Sequence, residues 1–487
     1  MTGRLPFNCL LVCVTVFSNH VGAQPAASSR GSSPLRDADE LYRTGQSDEA
    51  LAAYDRAQED ALAAHDNETA FSAGYRAATV EHQRKRYQAA AERFRKLAID
   101  LPKHNKAAGA HLLAIYDTAQ LAREQPKRDS AGYLELLKEH LTHWPSGATA
   151  VQARLWLGSL YESRRQWRDA MSCYQDVALQ PSKAVEAVAG VVRSCAQWLA
   201  TMPAGEARQQ AADEAIQWFE QYIVNARGEE IKPWPPASRE AALAAARLWL
   251  AEVPHGFMQA HEVAAAALEK SPDAPAEWKN SIGIIKVAAL ARQGRVSEAA
   301  AALDKITAGL PRELQLLMDQ LSQAAAPATV DRRQEIARLQ LRVGEMLRGH
   351  HGLDGPARIH MEITCARALV ELRQSDKAVA ALERLVTEFP TSAEVREELA
   401  SVLTASGAPG DLQKALASWQ ELARKTKPGS ERWFRANYGL AEVQLLTGKP
   451  SQARRTIKAT QASHPNLGGA EMKGNFLMLL KKSEQAQ

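Results

Sequence analysis

The chain predicts an all-α solenoid of stacked antiparallel helix pairs, and three observations carry that fold class. A small residue, an aromatic or aliphatic residue and a second small or branched residue recur at one spacing seven times, with a period of ~34 residues or slightly more. The 487 residues exceed the ~250–300 beyond which a single core stops growing, so the chain must divide or extend as a repeat array. Composition favours helix, with 45% hydrophobic residues, only 6% aromatic, abundant alanine and few β-branched runs. Almost no strand is expected.

The first residues, MTGRLPFNCLLVCVTVFSNHVGAQPA, join one positive charge to an apolar run from Cys9 to Phe17, and then to Val21, Gly22 and Ala23, which suit a signal-peptidase site. This predicts a signal peptide over 1–23 and export to the periplasm, the cell envelope or the medium. The apolar run is about half the ~20 residues that span a bilayer, so a membrane anchor is the weaker reading. Lipidation at Cys13 is weaker too, because Val12 stands where a small residue is usual. Residues 24–34 form a Ser/Pro-rich stretch with almost nothing to bury, read as a flexible tether. Helical patterning runs from Leu35 to about Lys482.

In the first repeat Ala38, Leu41, Gly45, Ala50, Tyr54 and Ala57 mark a helix, a turn and a second helix. Ala77, Ala78, Ala90, Phe94, Leu97 and Pro102 mark the next. A longer, less regular pair closes on His143, Trp144 and Pro145, and the clearest copy follows in Leu157, Gly158, Tyr161, Ala170, Tyr174 and Val177. Hairpins over 184–226 and 238–271 keep the helical pattern but lose parts of the signature, the second retaining Leu248, Ala260 and Pro272. Leu290, Gly294, Ala299, Leu303, Ile306 and Pro311 make another copy, and Ala366, Leu369, Ala378, Leu382, Leu385 and Pro390 one more. Leu399, Ala400, Leu403 and Gly407 with Ala415, Trp419 and Leu422 carry three extra residues in the turn; Leu440, Ala441, Gly448, Ala453, Ile457 and Pro465 close the series. The expected total is nine or ten hairpins.

Residues three, four and seven apart share one helix face, and each hairpin buries that face only by stacking on its neighbours. Small residues at Gly158 and Ala170 let paired helices approach, and Tyr161 and Tyr174 fill the space beside them. Gly45, Gly294, Gly407 and Gly448 stand where a helix ends in a left-handed residue. Asp48, Ser297, Asp376 and Ser451, three residues later, are read as caps of the following helix. Pro102, Pro145, Pro311, Pro390 and Pro465 are read as stops for second helices, because proline offers no N–H and clashes with the preceding turn. Residues 227–236, rich in Pro and Gly, read as an elbow around Trp234, and 324–328 as a softer joint. The array is thereby divided into blocks of 35–226, 237–321 and 328–482.

This pattern resembles the tetratricopeptide repeat, closely over about half the chain and loosely over most of the rest. The endings at Trp144-Pro145-Ser146, Phe389-Pro390-Thr391-Ser392 and His464-Pro465-Asn466 are similar to those of bacterial cell-envelope members, such as the outer-membrane assembly lipoprotein and the Tol–Pal cell-division coordinator. In such arrays the first helix of each pair lines a concave groove. Carried over by register, its ligand-facing residues are Tyr75, Thr79 and His82; Gln152, Ser159 and Glu162; His360 and Arg367; and Arg435, Tyr438 and Glu442. The carboxylate clamp of chaperone-binding members is not matched, because Tyr75 and Thr79, Leu155 and Ser159, or Ile363 and Arg367 stand at its places.

The formal charge is +4, or +3 once Arg4 leaves with the leader, and it reads as interspersed along the chain, with no footprint for nucleic acid or an anionic membrane. Three cysteines remain in the mature chain, Cys173, Cys195 and Cys365; Cys173 and Cys195 fall on neighbouring helices and are open to pairing, but buried free thiols are the preferred reading. His350, His351, Asp354, His360 and Glu362 are the one cluster of potential metal ligands. Zinc needs three or four of them to converge at about 2.0–2.2 Å, and the glycines around them favour a solvated turn. Gly448-Lys449 lacks the rest of a phosphate loop. His104, His111, His140 and His143 read as surface or capping residues beside no nucleophile. Trp156, Trp167, Trp249 and Trp419 lie in the apolar rhythm and read as packing, leaving Trp234 as the exposed candidate for stacking on a sugar. No catalytic residue, cofactor or metal is assigned.

The leading expectation is an exported, non-enzymatic scaffold or adaptor that binds a protein or extended peptide in the cell envelope. The rivals are an envelope enzyme or enzyme subunit acting on peptidoglycan or polysaccharide, and a subunit of an outer-membrane assembly or secretion machine. Among substitutions, Ala170→Leu and Phe94→Ala are expected to destabilise the stack, and Glu162→Ala to leave melting almost unchanged.

Overall fold

A three-residue turn, repeated almost without change, sets how the helices follow one another. At residues 44–46 the Gln46 N–H donates to the Leu41 carbonyl at 2.9 Å and the Gly45 N–H to the Tyr42 carbonyl at 3.0 Å. These bonds satisfy the last carbonyls of the helix while Gly45 adopts a left-handed φ of 84°. The same pair of bonds recurs at 64–66, 84–86, 164–166, 293–295, 372–374 and 447–449. Gly294 and Gly448 take the left-handed place as the sequence predicts, with φ of 74° and 73°, and Gly407 does so at a longer turn with φ of 69°. His65, Lys85, Arg165 and Arg373 occupy the same place elsewhere, at φ of 58–59°.

The expected caps are displaced by two residues. The third turn residue serves as cap of the next helix, so Gln46, Arg295, Gln374 and Lys449 hold that position without a side-chain bond. Asp48, Ser297, Asp376 and Ser451 lie inside the first turn instead. There the two aspartates favour the helix through its dipole and not as caps. Side-chain caps appear at Asp66, in one of these same turns, and where the connection is longer, as at Ser392 and Ser430.

The computed structural model describes residues 34–124, 131–227, 233–307, 310–350 and 353–485. The leader over 1–23, the tether up to 33, and 228–232 of the expected elbow lie outside the described residues. Two units are present, one of residues up to 215 with 236–241, the other of 216–235 and 242 onward.

In the first unit α1 (Pro34–Arg43) pairs with α2 (Ser47–Ala63), and α3 (Asn67–Gln83) with α4 (Tyr87–Asp100). Then come α5 (Ala107–Glu124) and α6 (Ala131–His143), α7 (Ala148–Ser163) and α8 (Trp167–Ala178), and α9 (Ala184–Ala200). The unit boundary falls within α10 (Glu206–Arg227) and again within α11 (Pro236–Ala251). The second unit continues with α12 (Phe257–Glu269), then α13 (Ala276–Arg292) with α14 (Val296–Leu303), and α15 (Pro311–Ala325) with α16 (Val330–Arg348). It ends with α17 (Gly355–Glu371) and α18 (Ser375–Glu388), α19 (Ala393–Ser406) and α20 (Pro409–Lys425), α21 (Glu431–Leu446) and α22 (Pro450–Ser463), and α23 (Ala470–Gln485). The fold is an all-α solenoid, with no strand among the described residues.

Among the described residues twenty-three helices stand where the sequence marks nine or ten hairpins. The pair missed is α15 and α16, whose buried stripe of Leu314, Leu317, Met318 and Leu321 carries no small-and-aromatic signature. Two sequence readings are corrected nearby. Pro311 does not stop α14, which ends at Leu303; it is the first residue of α15, where its missing N–H has no partner to lose. Of residues 324–328, the first two end α15 and the rest lie in the turn within that pair.

Packing follows the register of the repeat. Phe71 of α3, Phe94 and Leu97 of α4, and Ala107, Ala110 and Ala114 of α5 form one buried cluster, so the core runs from one pair into the next. Tyr174 of α8 is clasped by two glycines. A Cβ on Gly158 of α7 would lie 2.8 Å from its ring, and one on Gly190 of α9 would lie 2.6 Å away. Trp419 of α20 repeats the arrangement against Gly439 of α21, at 2.4 Å.

Candidate protein-binding face

The odd-numbered helices form the closer layer of each stack. α5 touches α7 and α7 touches α9; in the second unit α13, α15, α17, α19, α21 and α23 touch in succession. Among the even helices of the described residues only α14 and α16 make a contact as extensive. A stack whose first helices approach one another more closely than its second helices turns its odd face inward, and the residues predicted to face a ligand lie on that layer.

The structure joins five of the eleven, His82, Glu162, His360, Arg367 and Arg435, to a neighbouring odd helix. In the first unit Asp39 of α1 binds Arg76 of α3, and His82 Nδ1 of α3 meets Asp117 Oδ1 of α5 at 2.6 Å. Asp117 is fully buried; that burial pushes its carboxyl above the usual range, while its hydrogen bond holds the His82 imidazole above its ordinary value. Glu162 of α7 accepts from the Tyr174 hydroxyl at 3.1 Å and from Ser194 Oγ of α9 at 3.0 Å. Its carboxylate therefore ties three helices together, and with these contacts its removal is expected to lower stability instead of leaving melting unchanged.

In the second unit His360 Nε2 of α17 meets Asp319 Oδ1 of α15 at 2.9 Å. Arg367 of α17 forks onto Glu398 of α19 at 2.8 and 2.6 Å, and Arg432 and Arg435 of α21 converge on Glu397 of α19. Glu313 of α15, which sequence reasoning missed, accepts from Ser281 Oγ of α13 at 2.8 Å and pairs with Arg247 of α11. The other predicted residues are less polar in setting. Tyr75 packs edge-on to Phe94 at 5.4 Å and Tyr438 edge-on to Phe476 at 5.5 Å; burial raises both hydroxyls above the ordinary tyrosine value. Thr79 donates to the Tyr75 carbonyl at 2.8 Å, Gln152 and Ser159 are half-buried on α7, and burial raises the Glu442 carboxyl. Leu155 and Ile363, at the clamp positions, are buried.

The potential metal ligands do not converge. Asp354 caps α17 by accepting from the Ala357 N–H at 2.8 Å, Glu362 is forked by Arg348 at 2.8 and 2.7 Å, and His351 lies outside the described residues. Among the described residues no group of three or more His, Cys, Asp and Glu is placed to hold a metal. Cys173, Cys195 and Cys365 are free thiols, and burial pushes Cys173 up to about 12 and Cys365 to about 11.

Two readings of aromatic and imidazole groups are reversed. Trp234, expected at an exposed elbow, is 2% exposed, and its backbone N–H donates to the Lys270 carbonyl at 2.8 Å. No ring face is left for a sugar. His111 and His140, read as surface residues, are fully buried against Trp144, with ring centres 5.2–5.3 Å apart. His104 stacks on Phe71 at 3.7 Å. Helical spacing places His111, His140 and Trp144 on inward faces, a signal present in the sequence but outweighed by the general polarity of histidine.

Residues 365–431, from the middle of α17 into α21, match the tetratricopeptide repeat family. No curated protein matches the chain. Among solved structures, the TPR domain of P58(IPK) is 13% identical, with 93% of this chain and 97% of that one covered and a TM-score of 0.24. A tetratricopeptide repeat protein from Parabacteroides merdae ATCC 43184 is 15% identical, with 50% of this chain and 98% of that one covered and a TM-score of 0.22. Scores so low place no weight on either superposition. The likeness rests on the matched segment and on its helix-pair geometry, and it is residues 365–431 that match the tetratricopeptide repeat.

Proposed function

We propose that this chain is an exported, non-enzymatic scaffold that holds an extended segment of a partner protein along its odd-helix face in the bacterial cell envelope. The observation that carries the binding role is the set of polar bridges between neighbouring odd helices within each unit. It sets charged and aromatic side chains in fixed rows, so that a partner meets an ordered face at little conformational cost. Glu162, Glu397 and Glu398 direct their oxygens to neighbouring helices, which supports binding over proton transfer. The leader pattern over residues 1–23 supports export.

Photo-crosslinking residues in place of Ser159 and His360, in cells, test the face, with Leu179 at the end of α8 as the exposed control. Protein adducts are expected from both face positions and not from the control. Equal yields from Leu179, or no adduct at all, overturn the reading. The export arm is read from the mass of the mature protein, expected to begin at Gln24; an intact leader on cytosolic protein overturns it.

A further inference from the structure

The joint between α5 and α6 holds two imidazoles, His111 and His140, fully buried against Trp144. Neither ring nitrogen of His140 has a hydrogen-bond partner among the described residues, and neither does Nδ1 of His111. His111 Nε2 meets Glu139 Oε2 at 3.0 Å, but that carboxylate is already forked by Arg95 of α4 at 2.7 and 2.8 Å. A protonated imidazole carries two N–H donors, and His140 would carry both into a joint that offers no acceptor.

The other charged groups around the joint do not supply one. Glu135, Lys138 and His143 of α6 are exposed, and Arg154 of α7 donates to the Pro145 carbonyl at 2.9 Å. His104, stacked on Phe71, is bound by Glu68 at 2.9 Å. The charges of Arg95 and His143 further disfavour a proton on His111.

Packing marks α6 as the helix that yields. Among the described residues its contacts with α5 and with α7 are the slightest between successive helices from α1 to α9. α5 and α7 also touch each other directly, so the odd layer keeps a contact of its own without α6. Tyr133 and Leu137 of α6 complete a buried cluster with Ile115 and Ala119 of α5 and Leu157 and Leu160 of α7. Withdrawal of α6 uncovers that apolar groove.

We propose that α6 is an acid-released latch: protons taken up by His111 and His140 free α6 and Trp144 from the stack and open the groove between α5 and α7, while the helices beyond stay folded. Linkage gives the direction. Burial holds the His140 imidazole down at about 4 and a solvated one titrates near 6.5, so the open form binds more protons between these values. From pH 7.5 to 5 this favours opening roughly thirtyfold through His140 alone, and His111, lowered by burial, adds in the same sense. The latch does not require the odd-helix face to hold a partner.

Hydrogen exchange on the full chain at pH 7.5 and 5, corrected for the intrinsic rate at each pH, tests the latch. Amides of α6 are expected to lose at least about tenfold in protection at pH 5, with α8, α9 and α17 to α21 keeping theirs. His140→Leu and His140→Gln, neither of which titrates, are expected to abolish the loss, and His143→Gln, at an exposed site, to retain it. Leucine keeps the joint apolar and glutamine keeps it polar, so either variant that protects α8 and α9 like the parent at pH 7.5 is informative. Fluorescence of 1-anilinonaphthalene-8-sulfonate is expected to rise over the same pH range in the parent and in His143→Gln, and to stay flat in the His140 variants. Unchanged protection of α6, a loss shared equally by α8 and α9, or a parent-like loss in the His140 variants overturns the proposal. Release of α6 without a rise in dye fluorescence overturns the groove.

Discussion

Tyr174 shows how much a single contact sets in this chain. Its ring fits only because Gly158 and Gly190 carry no Cβ, and its hydroxyl reaches Glu162, which also holds Ser194. Gly190→Ala overpacks this site and is expected to cost about 1–3 kcal/mol, read as a lower urea midpoint. Glu162→Ala leaves a buried hydroxyl without its acceptor and is expected to cost about 1–3 kcal/mol; a parent-like midpoint would show that the carboxylate holds nothing together. His140 gives a pH test. Burial pushes its imidazole down to about 4, whereas the unfolded chain takes up that proton near 6.5. The unfolded state therefore binds more protons between those values, and stability falls as the pH drops from about 6.5 to 4, by about 3 kcal/mol. His111 is lowered by burial in the same sense. Glu139, held down to about 2 chiefly by Arg95, adds a loss that begins only below about 4.5. His82 opposes them: its raised value stabilises the fold in acid, and that contribution fades as the pH rises through it. His140→Leu is expected to flatten the decline between pH 6.5 and 4. Urea midpoints at pH 7, 5.5 and 4 measure it, and an unchanged slope would place the titration elsewhere.

Among elements, the turns carry the most information. One hydrogen-bond pattern serves seven connections, yet the left-handed residue is glycine at three of them and His65, Lys85, Arg165 or Arg373 at the others. The pattern tolerates a side chain at a strain cost that packing on either side outweighs. Gly448 has nothing within 4 Å of a Cβ, so Gly448→Ala isolates the backbone term and is expected to lower stability by about 1–2 kcal/mol in chemical denaturation. This also explains which turns were legible. Gly45, Gly294 and Gly448 mark their turns in the sequence, whereas a lysine or arginine at the same φ leaves no trace. The expected caps erred for a related reason, since a residue that closes one helix is already the cap of the next and leaves no room for a separate capping side chain.

Within each unit, helices touch their neighbours and little else, so the stability of a unit is a sum of pairs and interfaces. Phe94→Ala opens a cavity in the cluster that joins α3, α4 and α5, and about 3–5 kcal/mol is expected to be lost there. Hydrogen exchange should show the loss on α3 to α6, with α17 to α21 keeping their protection. Loss spread evenly over every helix would show a cooperativity that nearest-neighbour stacking does not provide.

The periodic small and bulky residues were enough to announce helix pairs, their order and most of their bounds, because burial of a helix face demands spacings of three, four and seven whatever surrounds it. Which polar side chains are free could not be read that way. Glu162, Arg367 and His360 look alike on a helical face, but each finds its partner on the odd helix of another pair, ~30–45 residues away by the period of the repeat. Trp234, His111 and His140 were misplaced for the same reason: burial is settled by what the neighbouring helices bring against a residue, and that contact is written in no local pattern.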